Sequence, residues 1–348
     1  MKKNILVAGG LGFIGKNFCK TVAKDSDVDI TIIDNLSSSS IGGLEEFIKF
    51  NNIHFIQESI TMPNFQMWLS VMCRNIKFDE IWNFACIASP KGYREHPMQT
   101  IEACTRGIIN LCEVALQHHA TFFHTSTSEV YGDTDEEMVE SNVGKVNCFG
   151  PRSCYDEGKR IAETIIYEYI VGHNLDARIY RLFNTFGPGM MIDDGRVISN
   201  FIVKAIFGLP LEIYGNPSKT RTFCYVDETI EKMLLASRNI EYRHPMNIGS
   251  DVNTLSLYEL ACKVLVITGS DSDIIYGQEP TDDPKQRIPN IEYLKNGLAS
   301  VGEYPNEIDI DYGIRQTVEY FRRILEGFTV DDIKNRYDFS TYKTKEFL

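Results

Sequence analysis

Tyr155 and Lys159 stand four residues apart in Ser153-Cys154-Tyr155-Asp156-Glu157-Gly158-Lys159-Arg160, at the head of a helical stretch. That spacing puts both side chains on one helix face. A tyrosine does acid–base work near neutral pH only if its pKa falls from about 10 towards 7, which takes about 4 kcal/mol at 1.36 per unit. An ammonium about 4 Å away, at an effective dielectric near 20, supplies that amount. Lys159, with a further positive charge at the site, therefore makes Tyr155 a working base. Alone, such a pair reads more readily as a surface Tyr/Lys pair, and only a cofactor site in the same chain turns it into chemistry. A second group of polar residues, Thr125-Ser126-Thr127-Ser128-Glu129-Val130-Tyr131-Gly132, follows an apolar run at 121–124. Beyond the carboxyl end of a strand, these hydroxyls would face a ligand, with Thr127 bonding a substrate hydroxyl and Glu129 the nearest carboxylate. The bland alternative is a Ser/Thr-rich turn.

The cofactor signal lies at the start of the chain. A run at 5–8 enters Gly9-Gly10-Leu11-Gly12-Phe13-Ile14-Gly15, a G-x-x-G-x-x-G loop that opens an amphipathic helix. Glycines serve here because the chain must turn sharply and bring backbone N–H groups up to a pyrophosphate at the positive end of the helix. Asp34 ends the next apolar run nineteen residues after Gly15, where a carboxylate accepts hydrogen bonds from ribose hydroxyls and repels a 2′-phosphate. The pair predicts NAD rather than NADP.

These groups need a scaffold that carries them to one place. Short apolar runs at 5–8, 29–33, 54–57, 80–84, 121–124 and 178–182 alternate with helix-length segments, the pattern of a doubly wound parallel sheet covered on both faces. Past about residue 185 the pattern is broken by Gly187-Pro188-Gly189, Asp193-Asp194-Gly195 and Gly215-Asn216-Pro217, which predicts a smaller, loop-rich substrate lobe. The expected organisation is an α/β Rossmann domain at 1–184, a lobe at 185–328 with some segments returning to the sheet, and an appended tail at 329–348.

The 348 residues suffice for about two domains or one domain with a lobe. A net charge of −13 excludes a nucleic-acid or anionic-membrane surface, although a few arginines in a cleft can still hold an anionic small molecule. No run reaches the roughly 18 apolar residues of a membrane span. Met1-Lys2-Lys3 before an apolar run imitates a signal peptide, but cleavage there would remove the glycine loop. Nine scattered cysteines without a C-x-x-C pair fit free thiols in a reducing cytoplasm, and no metal site is expected.

Together, Gly9–Gly15 with Asp34, Ser126–Gly132 and Tyr155/Lys159 resemble the extended short-chain dehydrogenase/reductase family of nucleotide-sugar enzymes. Within it the chain is most similar to the UDP-glucuronate decarboxylases (UDP-xylose synthases), through Ser126-Thr127-Ser128-Glu129-Val130-Tyr131-Gly132, Gly150-Pro151-Arg152-Ser153-Cys154-Tyr155-Asp156-Glu157-Gly158-Lys159-Arg160, Phe183-Asn184-Thr185-Phe186-Gly187-Pro188, Asp194-Gly195-Arg196-Val197-Ile198-Ser199-Asn200-Phe201 and Asp282-Asp283-Pro284-Lys285-Gln286-Arg287. The resemblance runs from about residue 3 to 325. It implies that Gly9, Gly12, Phe13, Ile14, Gly15, Asp34 and Asn35, with Tyr155 and Lys159, surround NAD. It implies too that Asn184 orients a nucleotide sugar, that Arg196, Arg221 and Arg287 engage its anionic groups, that Tyr93 lies near the hexose, and that the chain forms a homodimer through two helices per subunit. Arginine suits such bidentate capture of an anion.

Position 128 discriminates among reactions. Relatives that remove water across C5 and C6 carry Thr-Asp-Glu here, because one group must protonate the leaving hydroxyl; this chain has Thr127-Ser128-Glu129. Serine is no acid near neutral pH. Once C4 is a ketone, however, a C6 carboxylate is a β-keto acid and leaves as CO2 without such a donor. The expected reaction is NAD-dependent decarboxylation of UDP-glucuronate to UDP-xylose by C4 oxidation, CO2 loss and re-reduction, with catalytic residues Thr127, Ser128, Glu129, Tyr155 and Lys159. The alternatives are 4,6-dehydration or 4-epimerisation and, from another class, a nucleotide-binding protein without turnover, against which the intact Thr127, Tyr155 and Lys159 count. Three positions depart from the family pattern: Ser59 for an adenine-contacting aspartate, Cys104 for an asparagine, and Gly189 for an arginine after Gly187-Pro188.

Overall fold

The structure, a computed structural model, describes residues 2–134, 136–240, 242–278 and 288–337. Seven parallel strands form the central sheet: β1 (Lys3–Ala8), β2 (Val28–Asp34), β3 (Ile53–Gln57), β4 (Glu80–Asn83), β5 (Thr121–Thr127), β6 (Ala177–Leu182) and β7 (Pro245–Ile248), in the spatial order β7-β6-β5-β4-β1-β2-β3. Strand order reverses between β1 and β4, which opens a crevice beyond their carboxyl ends. The doubly wound sheet expected from the alternation is present.

Side chains on successive strand residues point to opposite faces, and two apolar clusters divide accordingly. Ile5, Val7, Ile30, Ile32, Trp82, Phe123 and Tyr180 belong to one. Leu6, Ala8, Ile33, Ile81, Phe122 and Ile179 belong to the other, which continues into the helices α2 (Arg106–His118) and α3 (Ser153–His173) through Ile108, Leu111, Ala162 and Ile166. Burial on both faces explains why these strands read as continuous apolar runs.

The first cluster takes in α1 (Phe13–Val22) and the later helices α4 (Val197–Ile206), α5 (Val226–Asn239), α6 (Leu257–Thr268) and α7 (Ile310–Ile324). Short strand pairs connect these helices: Thr185–Phe186 with Cys224–Tyr225, Thr220–Thr222 with Thr254–Ser256, and Leu211–Tyr214 with Ile274–Gly277. At the C-terminal end, α8 (Val330–Arg336) carries a Thr329/Asp332 capping box, buries Ile333 completely, and is followed by Tyr337, whose hydroxyl donates to the Ile192 carbonyl. Part of the segment expected to be an appended tail is therefore packed helix. No helix among the described residues is long and apolar enough to cross a membrane.

Candidate active site

The crevice holds a cavity of about 880 Å³, within the range of ligand sites. Its floor begins where β1 runs into the glycine loop. Gly9 takes φ +74°, and a Cβ there would lie 2.6 Å from the Ala85 nitrogen; at Gly15 it would lie 2.3 Å from the Gly9 carbonyl oxygen. Both positions need glycine, because the loop packs backbone against backbone. Gly12 caps α1 without a side-chain hydrogen bond, leaving the first-turn N–H groups open to an anion. Asp34, at the end of β2, is buried and accepts from Leu11 N at 3.0 Å, Leu36 N at 2.9 Å and Ser39 Oγ at 2.9 Å. Its carboxylate thus ties the glycine loop to the turn after β2, and Phe13, Ile14 and Asn35 line the same end of the cavity.

Opposite, β5 extends three residues beyond the expected run and delivers Thr127, which accepts from Glu129 N at 3.3 Å as the strand passes into a single turn of 3-10 helix, Ser128–Tyr131. Thr125, Ser126, Thr127, Ser128 and Glu129 all line the cavity. Ser126 Oγ donates to Glu163 at 2.5 Å and Thr125 Oγ to the Asn83 carbonyl at 2.9 Å, so both hydroxyls also have partners within the protein. Thr127 hydrogen-bonds the Tyr155 phenol.

Tyr155 and Lys159 rise from the first turns of α3. The Tyr155 ring stacks on Tyr93, with centroids 5.2 Å apart and planes 8° from parallel, while Lys159 Nζ donates to the Thr125 carbonyl at 2.7 Å. Burial pushes the Tyr155 phenol well above its ordinary value; Cys86 and Glu129 add to the rise, and the Thr127 hydrogen bond and Arg196 oppose it. Desolvation is the largest effect on this phenol, and it opposes the lowering that phenolate chemistry near neutral pH requires. Tyr93 is 1% exposed and its hydroxyl, on the cavity wall, has no hydrogen-bond partner among the described residues. An unpaired buried hydroxyl of this kind is suited to a bound hydroxyl-rich ligand.

Glu129, expected as the nearest available carboxylate, is ion-paired with Arg152, whose Nε also reaches Asp156 at 3.3 Å. Arg152 lines the cavity and stands three residues before Tyr155, a helical-face spacing that the sequence carried without its being read as functional. On the lobe side, Asn184 Nδ2 donates to the Thr222 carbonyl at 3.1 Å, Arg221 is buried and donates to the Thr220 carbonyl at 2.9 Å, and Arg196 pairs with Asp194 at 3.3 Å. All three line the cavity, as does Lys91, which meets Asp193 at 2.7 Å and joins the two sides. Every expected site residue among those described, from Gly9 to Arg221, lines this one cavity; Arg287 and the Asp282–Arg287 motif lie outside the described residues. At the departures, Ser59 Oγ bonds Thr61 Oγ1 at 2.8 Å, Gly189 takes φ +99°, and Cys104 touches Cys86.

Comparison with known proteins agrees with this architecture. A UDP-glucuronic acid decarboxylase 1 of Xenopus tropicalis is 35% identical over 93% of this chain and 73% of its own length, and a UDP-glucuronic acid decarboxylase 6 of Arabidopsis thaliana is 37% identical over 85% and 83%. A UDP-N-acetylglucosamine 4-epimerase from Methanobrevibacter ruminantium, solved with UDP-N-acetylmuramic acid, superposes with a TM-score of 0.81 at 25% identity, covering 93% of this chain and all of that one. A dTDP-glucose 4,6-dehydratase from Bacillus anthracis, solved with NAD, shares the fold with a TM-score of 0.80 at 22% identity, over 93% and 98%. The profile of the NAD dependent epimerase/dehydratase family matches residues 5–249. With that match spanning the sheet, the glycine loop and the Tyr155/Lys159 turn, the chain belongs to the NAD dependent epimerase/dehydratase family.

Proposed function

We propose that this protein is an NAD-dependent UDP-glucuronate decarboxylase that forms UDP-xylose. The observation that carries the reading is at 127–129: Ser128 cannot supply a proton, and Glu129 is locked to Arg152, so a 4,6-dehydration finds no acid for its leaving hydroxyl beside Tyr155, whereas the loss of CO2 has no hydroxyl to protonate. The decarboxylase relatives support the same choice.

The residues present fit NAD. Cβ-intolerant glycines lie under the site of the pyrophosphate, open N–H groups stand at the start of α1, and the buried Asp34 carboxylate suits ribose hydroxyls and opposes a 2′-phosphate. The chemistry a bound NAD supplies is hydride acceptance from the sugar C4, its return, and a positive ring beside a buried phenol. Tyr155, held by Thr127 and stacked on Tyr93, takes the C4 hydroxyl proton. Lys159, anchored on the Thr125 carbonyl, holds positive charge at that turn and favours the phenolate. With C4 a ketone, the C6 carboxylate leaves as CO2 and its electrons pass into the C4 carbonyl; the resulting enolate takes a proton at C5 to regenerate the ketone, which is then reduced to the C4 hydroxyl as Tyr155 returns its proton. Arg196, Arg221 and Asn184 hold the anionic and polar groups of the nucleotide sugar, the role proposed also for Arg287, and Tyr93 offers its free hydroxyl to the hexose. In this reading residues 185–328, apart from β7, form the substrate lobe. The protein acts as a homodimer.

The test is mass spectrometry of products after incubation with NAD⁺ and, separately, UDP-glucuronate, UDP-glucose and a dTDP-sugar. Loss of CO2 from UDP-glucuronate is expected, without accumulation of NADH. Loss of water from a neutral sugar nucleotide, or interconversion of C4 epimers, with UDP-glucuronate keeping its carboxylate, would overturn the reading.

A further inference from the structure

Two thiols stand beside the Tyr155–Lys159 turn and make or break no bond in the proposed reaction. Cys86, in the loop after β4, is half-buried and lines the cavity; Cys104, at the end of the helix Pro97–Cys104, is buried behind it. Their sulfurs are 3.5 Å apart, across eighteen residues of sequence, and a disulfide requires them to close to about 2.05 Å. Space for Cys104 comes from Gly158, the residue between Tyr155 and Lys159 on α3 that lacks a side chain: a Cβ there would lie 3.3 Å from the Cys104 sulfur. The hydrogen bond from the Cys104 thiol and the charge of Lys159 hold the Cys86 thiol below its ordinary value against the opposing effect of burial, whereas the Cys104 thiol is held well above it by its hydrogen bond to Cys86 and by burial. One sulfur is thus suited to attack and the other to resolve.

We propose that Cys86 and Cys104 form a peroxide-reactive dithiol in the wall of the active site, a modification site whose oxidised form is an intramolecular disulfide. The oxidant is hydrogen peroxide. Cys86 thiolate attacks one peroxide oxygen; the S–O bond forms, the O–O bond breaks, and the departing hydroxide takes a proton to become water, leaving a sulfenic acid. Cys104 then gives up its proton and attacks that sulfur; the S–S bond forms, the S–O bond breaks, and a second water leaves. Two thiols lose two electrons, and one peroxide becomes two waters. Closing the sulfurs draws the 84–89 loop towards α3. That loop ends in Ser89, which caps the Tyr93 helix through Gly92 N at 3.1 Å, so the Tyr93–Tyr155 stack shifts and turnover falls until a dithiol reductant restores both thiols.

The test uses the full chain, treated with stoichiometric hydrogen peroxide and digested without reduction. Peptide mass spectrometry is expected to find Cys86 joined to Cys104 and two of the nine thiols lost. The exposed Cys148 sets the baseline, and Cys86 is expected to react about tenfold faster or more. In Cys104→Ser the link disappears and a sulfenic acid persists on Cys86, captured by a cyclic diketone. Absence of the joined peptide in the folded wild type, or reaction at Cys86 no faster than at Cys148, would overturn the proposal. Should Cys104→Ser fail to fold, the wild-type peptide map decides alone. Thiol mapping does not depend on turnover, so its outcome is separate from that of the decarboxylase assay.

Discussion

In the proposed reaction Tyr155 has to become an anion in a place where burial resists it, and its neighbours act on that conflict. Thr127 hydrogen-bonds the phenol and Arg196 adds positive charge, while Glu129 adds to the rise and is itself paired with Arg152. Tyr155→Phe is expected to reduce kcat by about 100-fold to 10,000-fold, the range of a lost acid–base group, while NAD affinity measured by calorimetry stays unchanged; an active Phe variant would remove Tyr155 from the mechanism. Because the Thr127 bond lowers a pKa that burial raises, Thr127→Ala leaves less phenolate at any given pH, and the rising limb of the kcat/KM profile moves to higher pH. A limb that stays in place would show that Tyr155 does not titrate there. Asp34→Ala removes a carboxylate acceptor worth about 1.5–3 kcal/mol in charged hydrogen bonds, so NAD binding falls by about tenfold to a hundredfold; unchanged affinity would show that the ribose contact is misassigned. The residue types and local spacings of Tyr155, Lys159, Thr127 and Asp34 were legible in the sequence because each depends on one helix turn or one strand end. The Tyr93 stack, the Arg152 clasp on Glu129 and the Cys86–Cys104 contact were not, since each joins residues brought together only by the tertiary fold.

At the scale of elements, the first six strands fall within three residues of their apolar runs; burial on both faces leaves little room for polar residues in the inner strands, while β3, at the sheet edge, is half-buried to exposed. The exception is instructive: β5 continues through Thr125-Ser126-Thr127, whose hydroxyls find partners in Asn83, Glu163 and Tyr155, so polarity there marks the site and not the end of the strand. β7 starts with Pro245, a position proline tolerates at a sheet edge, and its third residue is Asn247, so the segment has no apolar run to read. The junction of β1 and α1 is the most demanding element. Gly15→Ala sets a Cβ 2.3 Å from the Gly9 carbonyl, and relieving the overlap must move α1 away from the loop or distort the turn. The expected result is loss of NAD binding with a lowered melting temperature and a far-UV spectrum that still shows the α/β fold. Wild-type NAD affinity in this variant would mean that the loop is not the pyrophosphate cradle.

For the whole molecule, the net charge of −13 keeps copies apart unless apolar contact outweighs repulsion, and the proposed dimer would find that contact on α2 and α3. They pack against one another over the second core cluster. On their outer sides, Ile109 and Ile161 are each 41% exposed, Tyr167 58% and Val171 64%. Large apolar residues gathered on two adjacent helices of a charged protein mark a surface that a partner covers, and a second copy of the same pair would meet it as a self-complementary face. One of these helices, α3, carries Tyr155 and Lys159, so association of this kind would steady the turn proposed to do the chemistry. Light scattering is expected to give twice the chain mass for the wild type. Tyr167→Asp with Val171→Asp is expected to give the single-chain mass, with NAD still bound, since neither residue lines the cavity, and with a lower melting temperature because the apolar face is left to water. A wild type that runs as a monomer, or a double variant that remains a dimer, would move the interface elsewhere. A monomeric variant with full activity would show that dimerisation stabilises the fold without tuning Tyr155.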